Sequence, residues 1–194
     1  MKTGIIRYSA GNVYSVAMAL ERLNVSYIIS DDPEHLHCCD RLIFPGVGEA
    51  ASAMKDLDSK GLTSMIKQYN RPFLGICLGM QILCRETEEN NAHGLAIFNP
   101  TVKKFQKSVK IPHMGWNTLQ NPKSVLFSDI SEEICVYFVH SYYAELSKET
   151  SSFCFYGRMF SASLEKDNYY GVQFHPEKSG RVGSKILQNF LEKT

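Results

Sequence analysis

The stretch FLGICLGMQ, residues 73–81, decides how this chain folds. RPFLGI before it reads as a strand and LGMQILCRETEE after it reads as a helix. Between them Gly75-x-Cys77-x-Gly79 makes a sharp turn. A strand that feeds directly into a helix is the unit of a parallel sheet covered by helices. The sequence upstream repeats that unit. GIIRY reads as a first strand, followed by a turn at Gly11 and Asn12. Val13, Val16, Ala17, Leu20 and Leu23 then recur at helical spacing. SYIIS and RLIF (41–44) are further strands, joined by DDPEHLHCCD, a connector with a weak helical turn. EAASAMKDLDSKGLTSMIKQY reads as helix interrupted at Gly61.

Downstream the character changes. TVKKFQ, NTLQ, CVYFVHSYY, SFCFYGRMF and YYGVQF are aromatic-rich runs separated by Asn, Pro, Ser and Gly, and read as strands, several of them antiparallel. A last helix begins near Gly180, with Ile186, Leu187, Phe190 and Leu191 on one stripe. The expectation is a single α/β domain over residues 1–194, with a mixed, largely parallel sheet flanked by helices.

Composition narrows the function. With 44% hydrophobic residues in 194, the chain can bury a full core. A net charge of +1 argues against a nucleic-acid binder, which carries a basic excess. No apolar run reaches the roughly 18 residues of a membrane span, and MKTGIIRYSAG does not read as a signal peptide. The expected compartment is therefore the reducing cytosol, where Cys38, Cys39, Cys77, Cys84, Cys135 and Cys154 would not form a disulfide framework.

Three stretches carry chemistry. In the first, Cys77 replaces the serine of a nucleophile elbow. The helix N-terminus that follows favours negative charge there; the plain alternative is a structural cysteine in a tight turn. In the second, YYGVQFHPEKS (169–179), His175 and Glu177 stand two apart at the end of an apparent strand. Extended chain would set them side by side, so that the carboxylate orients the imidazole. The alternative is a surface pair flanking Pro176. The third, FPGVGEA (44–50), permits two readings. As G-x-G-x-x-A from Gly46 to Ala51 it imitates a dinucleotide fingerprint, but it follows the third strand and no acidic residue stands some 20 positions on. As a glycine-flanked loop it offers backbone N–H groups for an oxyanion. HLHCCD (35–40) lacks the spaced cysteine pairs of a zinc site and reads as connector.

The elbow, His-Pro-Glu and PGVG together resemble the class I (triad) glutamine amidotransferases, which implies a flavodoxin-like fold. Within that family the chain looks like the glutaminase subunits of imidazole glycerol phosphate synthases of histidine biosynthesis. The likeness runs from end to end: GNVYSV (11–16), RLIFPGVGEA (41–50), GICLGMQ (75–81), IPHMGWN (111–117), YFVHSYY (137–143) and GVQFHPEKS (171–179). One stretch departs. The family's first strand commonly ends in Asp-Tyr-Gly, where this chain has Arg7, Tyr8 and Ser9.

The resemblance implies Cys77 as nucleophile, His175 as acid and base and Glu177 as its orienter. It implies Val47 and Leu78 as oxyanion N–H donors, and Gly48, Gln81, Ser141 and Tyr142 around the substrate glutamine. It implies no cofactor and no metal. The partner would be a (β/α)8-barrel cyclase subunit in a heterodimer, met through Asn12, Met114 and Trp116. Trp116, the single tryptophan, is read as lying in a Gly/Pro/Asn-rich loop and anchoring that interface.

Overall fold

Short, continuously buried strands build a sheet with both faces covered. The computed structural model describes residues 1–9, 12–131 and 133–194, so the turn expected at Gly11 lies outside the described residues. The first half comprises β1 (Thr3–Ile6), α1 (Val13–Arg22), β2 (Tyr27–Ser30), α2 (Pro33–His37), β3 (Arg41–Phe44), α3 (Ala50–Ser59), α4 (Leu62–Gln68), β4 (Phe73–Ile76) and α5 (Leu78–Leu83). The break at Gly61 is real: its φ of 69° suits glycine and separates α3 from α4. α2 is more than a weak turn, because Asp32 accepts from the Glu34 N–H and Pro33 starts the helix with its φ already set.

The second half adds β5 (Glu86–Thr87), β6 (Ala92–His93), β7 (Thr101–Lys104), β8 (His113–Thr118), β9 (Cys135–His140), β10 (Tyr142–Ala144), β11 (Thr150–Phe155), β12 (Met159–Lys166), β13 (Tyr169–Val172) and α6 (Gly180–Lys193). The main sheet runs β2-β1-β3-β4-β13-β12-β10-β7-β5-β6, with β11 paired to β12. From β2 to β13 all pairs are parallel; β13-β12, β12-β10 and β10-β7 are antiparallel. β8 and β9 form a separate antiparallel ladder. The 2-1-3-4 start is the doubly wound, flavodoxin-like order. One core, with Ile5, Ile43, Leu74, Ile186 and Phe190, lies beneath α1 and α6. The other, with Ile6, Leu42, Phe44, Phe73 and Leu83, lies beneath α2 to α5. Successive strand residues alternate between them, as a two-residue period requires.

Two expectations change. The helix after Cys77 ends at Leu83 instead of running through Glu89, because residues 95–98 donate their N–H groups to the carbonyls of Ile82, Leu83 and Cys84. Those carbonyls are satisfied from outside, so RETEE is released to form β5 and its turn. IPHMGWN is not a loop: His113–Thr118 is strand β8, and Trp116 pairs with Tyr137 of β9.

Where the chain departs from Asp-Tyr-Gly, Arg7 pairs with Asp31 at 2.6 Å and the Ser9 N–H donates to Asp56 at 2.7 Å. Lys60 bridges both acids, so the replacements belong to a surface ion network.

Candidate active site

The loops after β3, β4 and β13 converge at the carboxyl ends of their strands, where open α/β sheets build sites. Cys77 follows β4 with φ 53° and ψ −108°, a backbone conformation seldom adopted by residues with a Cβ. It is held on both sides. Its N–H donates to the Val172 carbonyl at 2.7 Å, and its carbonyl accepts from the Gln81 N–H at 3.1 Å. The flanking sequence permits the turn because a Cβ on Gly79 would stand 2.1 Å from the Phe44 carbonyl oxygen. A Cβ on Gly46 would come within 2.3 Å of the Gly79 nitrogen, so the loop after β3 rests directly on the start of α5.

His175 and Glu177 do meet, by a different route from extended chain. His175 is extended, but Pro176–Lys178 forms a 3-10 turn, closed by the Lys178 N–H on the His175 carbonyl at 3.0 Å. The fixed φ of Pro176 starts that turn. It returns Glu177 Oε1 to within 2.8 Å of His175 Nδ1, with both side chains 2% exposed. Burial by itself would lower the pKa of His175. Negative charge on Cys77, and then Glu177, outweighs it and holds the ring up to about 10. His175 Nε2 is buried with no hydrogen-bond partner among the described residues, which leaves it free for a substrate atom.

The cleft between these loops has a volume of about 330 Å³. Val47, Gly48, Cys77, Leu78, Gln81, Ser141, Tyr142 and His175 all line it. The N–H groups of Val47 and Leu78 make no hydrogen bond among the described residues, so both remain available as donors. Gly48, at φ 114°, occupies backbone space that other residues avoid. Gln81 is already engaged: its Nε2 donates to the Tyr142 carbonyl and to Gln173 Oε1, each at 2.9 Å. The sulfur of Cys77 lies 3.6 Å from Gln173 Nε2 and 3.9 Å from the Val139 carbonyl.

The structure adds Glu89, Pro112, Val139 and His140 to the lining. Glu89 is a carboxylate turned into the cleft, with Oε2 accepting the Ala50 N–H at 2.8 Å; burial raises its pKa. Reading RETEE as helix concealed it, and its placement depends on the early stop of α5. Three expected interface residues lie outside the cleft. Asn12 caps α1, accepting from the Ser15 N–H and donating to Ser15 Oγ. Met114 and Trp116 are 62% and 57% exposed on β8. The Trp116 ring meets Tyr137 edge-on at 6.1 Å, and the Tyr137 carbonyl accepts the His175 N–H.

Known proteins are similar to this chain over nearly its full length. The imidazole glycerol phosphate synthase subunit HisH of Bacteroides fragilis (strain YCH46) is 50% identical over 195 residues, covering 99% of this chain and 100% of that protein. The subunit of the same name from Vibrio parahaemolyticus serotype O3:K6 is 43% identical over 202 residues, covering 98% of each. A solved glutamine amidotransferase superposes with a TM-score of 0.76 at 18% identity, covering 98% of this chain and 97% of that one. The structure of PurLQS from Thermotoga maritima gives 0.71 at 20%, with the same coverage; at such identities these two speak for the fold alone. The family model for glutamine amidotransferase class-I matches residues 5–194. From strand order to cysteine elbow, the chain belongs to the class I glutamine amidotransferases.

Proposed function

We propose that this chain is the glutaminase subunit of an imidazole glycerol phosphate synthase. It would hydrolyse glutamine and pass the ammonia to a cyclase subunit that makes imidazole glycerol phosphate and aminoimidazole carboxamide ribotide. The observation that carries this reading is the convergence of Cys77, His175 and two unbonded N–H groups on one cleft, in a chain half identical to such subunits over its whole length.

The chemistry follows from the geometry. Glutamine enters with its carboxamide against Cys77, and Glu89 offers a carboxylate for the α-ammonium. The sulfur attacks the carboxamide carbon while the N–H groups of Val47 and Leu78 take the developing oxyanion. His175, already protonated and oriented by Glu177, gives its Nε2 proton to the departing nitrogen. Ammonia leaves and a thioester remains. The now neutral ring takes a proton from water, the hydroxide attacks the thioester, and glutamate departs with the sulfur restored.

Ammonia in neutral water is mostly protonated and then no nucleophile, so it must travel in a closed path to an acceptor on another chain. The proposed acceptor is a (β/α)8-barrel cyclase in a heterodimer. Met114 and Trp116, exposed beside the strand that holds His175, suit that contact. All six cysteines are free thiols, which suits the reducing cytosol.

Cys77→Ala in the assembled complex is expected to abolish glutamine-dependent synthesis and leave ammonia-dependent synthesis intact. His175→Ala should act alike, and Glu177→Gln more mildly, because it orients instead of reacting. Loss of both activities in a correctly assembled complex would refute the division of labour.

A further inference from the structure

A continuous run of hydrogen-bonded polar groups connects β8 to the nucleophile, and its directions can be assigned. Asn117 accepts the Thr118 N–H through Oδ1 at 2.8 Å and donates to the Phe155 carbonyl through Nδ2 at 3.1 Å. Its amide is thereby fixed, and Nδ2 also faces His113 Nε2 at 3.3 Å. That ring nitrogen must accept, so the proton of His113 is on Nδ1, which donates to His140 Nε2 at 3.0 Å. His140 therefore carries its own proton on Nδ1, 2.7 Å from the Tyr142 carbonyl. Burial keeps both rings uncharged, with pKa values of about 4 for His113 and about 3 for His140. The tautomers are thus stable at neutral pH.

The Tyr142 carbonyl can only accept. It takes a second hydrogen bond from Gln81 Nε2, whose other hydrogen goes to Gln173 Oε1. With its oxygen committed to Gln81, Gln173 must present its NH2 end to Cys77, at 3.6 Å from the sulfur. Gln173 is fully buried and does not line the cleft. Its amide therefore meets the sulfur from behind, away from the substrate. We infer that Gln173 is a further catalytic residue, donating a hydrogen bond to the sulfur of Cys77, and that His140, seated on His113, is a positioning residue for the carbonyl that orients it.

This inference rests on Cys77 being the nucleophile, and its test separates the two. The complex is assayed for glutamine hydrolysis and for ammonia-dependent synthesis. Alkylation of Cys77 by iodoacetamide is followed on its own peptide by mass spectrometry. Gln173→Met keeps length and flexibility but removes the donor. A hydrogen bond to a charged group corresponds to roughly a 10- to 100-fold effect. Gln173→Met should therefore lower kcat for glutamine by about that factor and change the alkylation rate of Cys77 several-fold. KM should stay within about twofold, and ammonia-dependent synthesis should be unchanged. His140→Phe, which removes the donor to Tyr142, should lower kcat and raise KM, because Tyr142 lines the cleft. His140→Asn, which places an amide N–H near the former Nδ1, should recover most of both. If Gln173→Met does not fold, the two His140 variants carry the test. A folded Gln173→Met, or failing that a folded His140→Phe, with wild-type kcat and alkylation rate would overturn the inference. A lower melting temperature without those losses would mean a purely structural role. Absence of glutamine turnover in the wild-type complex, with the alkylation differences intact, would instead remove the glutaminase reading.

Discussion

His175 shows how a buried ring can hold a proton well above its ordinary range. Desolvation acts against the charge, and the anion at Cys77 is the main force in its favour, ahead of Glu177. Removing the sulfur should therefore change the ring's titration more than any distant substitution. In Cys77→Ala the NMR titration midpoint of the His175 imidazole is expected to fall by well over one unit from about 10. An unchanged midpoint would show that Glu177 alone holds the charge. The same residues explain what sequence could deliver locally. Cys77 was readable from two glycines and a strand-to-helix turn, but the 3-10 turn that brings Glu177 to His175 was not. Pro176 marks a change of direction without stating which.

The β8–β9 ladder places His113 directly opposite His140, and His113 stacks between Phe138 and Tyr156 at ring distances of 4.8 and 4.0 Å. This ladder has a consequence for acid stability. Both histidines bind protons in the unfolded chain near pH 6.5 but only at about 4 and 3 in the fold. The unfolded state therefore binds more protons below about 6.5, and stability falls as pH falls. Urea unfolding free energies are expected to change little with these groups above pH 6.5 and to decline between 6.5 and 5, before most carboxylates protonate. A level profile across that window would mean that the rings carry charge in the folded protein. The ladder also corrected the reading of IPHMGWN. Gly115 and Pro112 suggested a loop, yet strand pairing across 113–118 overrides that local preference. The early stop of α5 has the same origin, since the N–H groups that end it come from residues more than ten positions on.

The assembled sheet sets three unrelated loops at the carboxyl ends of its central strands and leaves an apolar pair, Met114 and Trp116, exposed on β8. A tryptophan steadied edge-on by Tyr137 yet more than half exposed leaves most of its ring open to a partner, as an interface anchor requires. Trp116→Ala is expected to weaken binding of the cyclase by roughly 2 kcal/mol or more, with little change in the melting temperature of the free subunit. Calorimetric titration of the pair and melts of the subunit decide between interface and core. An unchanged dissociation constant with a strongly lowered melt would assign the residue to the core.

Alternation of strand and helix, the doubly wound class, the elbow at Cys77 and the partnership of His175 with Glu177 were determined by sequence, because each rests on local periodicity or on residues a few positions apart. Glu89 in the cleft, the engagement of Gln81, the strand under Trp116 and the run from Asn117 to Gln173 were decided only by tertiary structure. Each depends on hydrogen bonds or packing between segments tens of residues apart. No local pattern encodes which buried donor will find which acceptor once the sheet has closed.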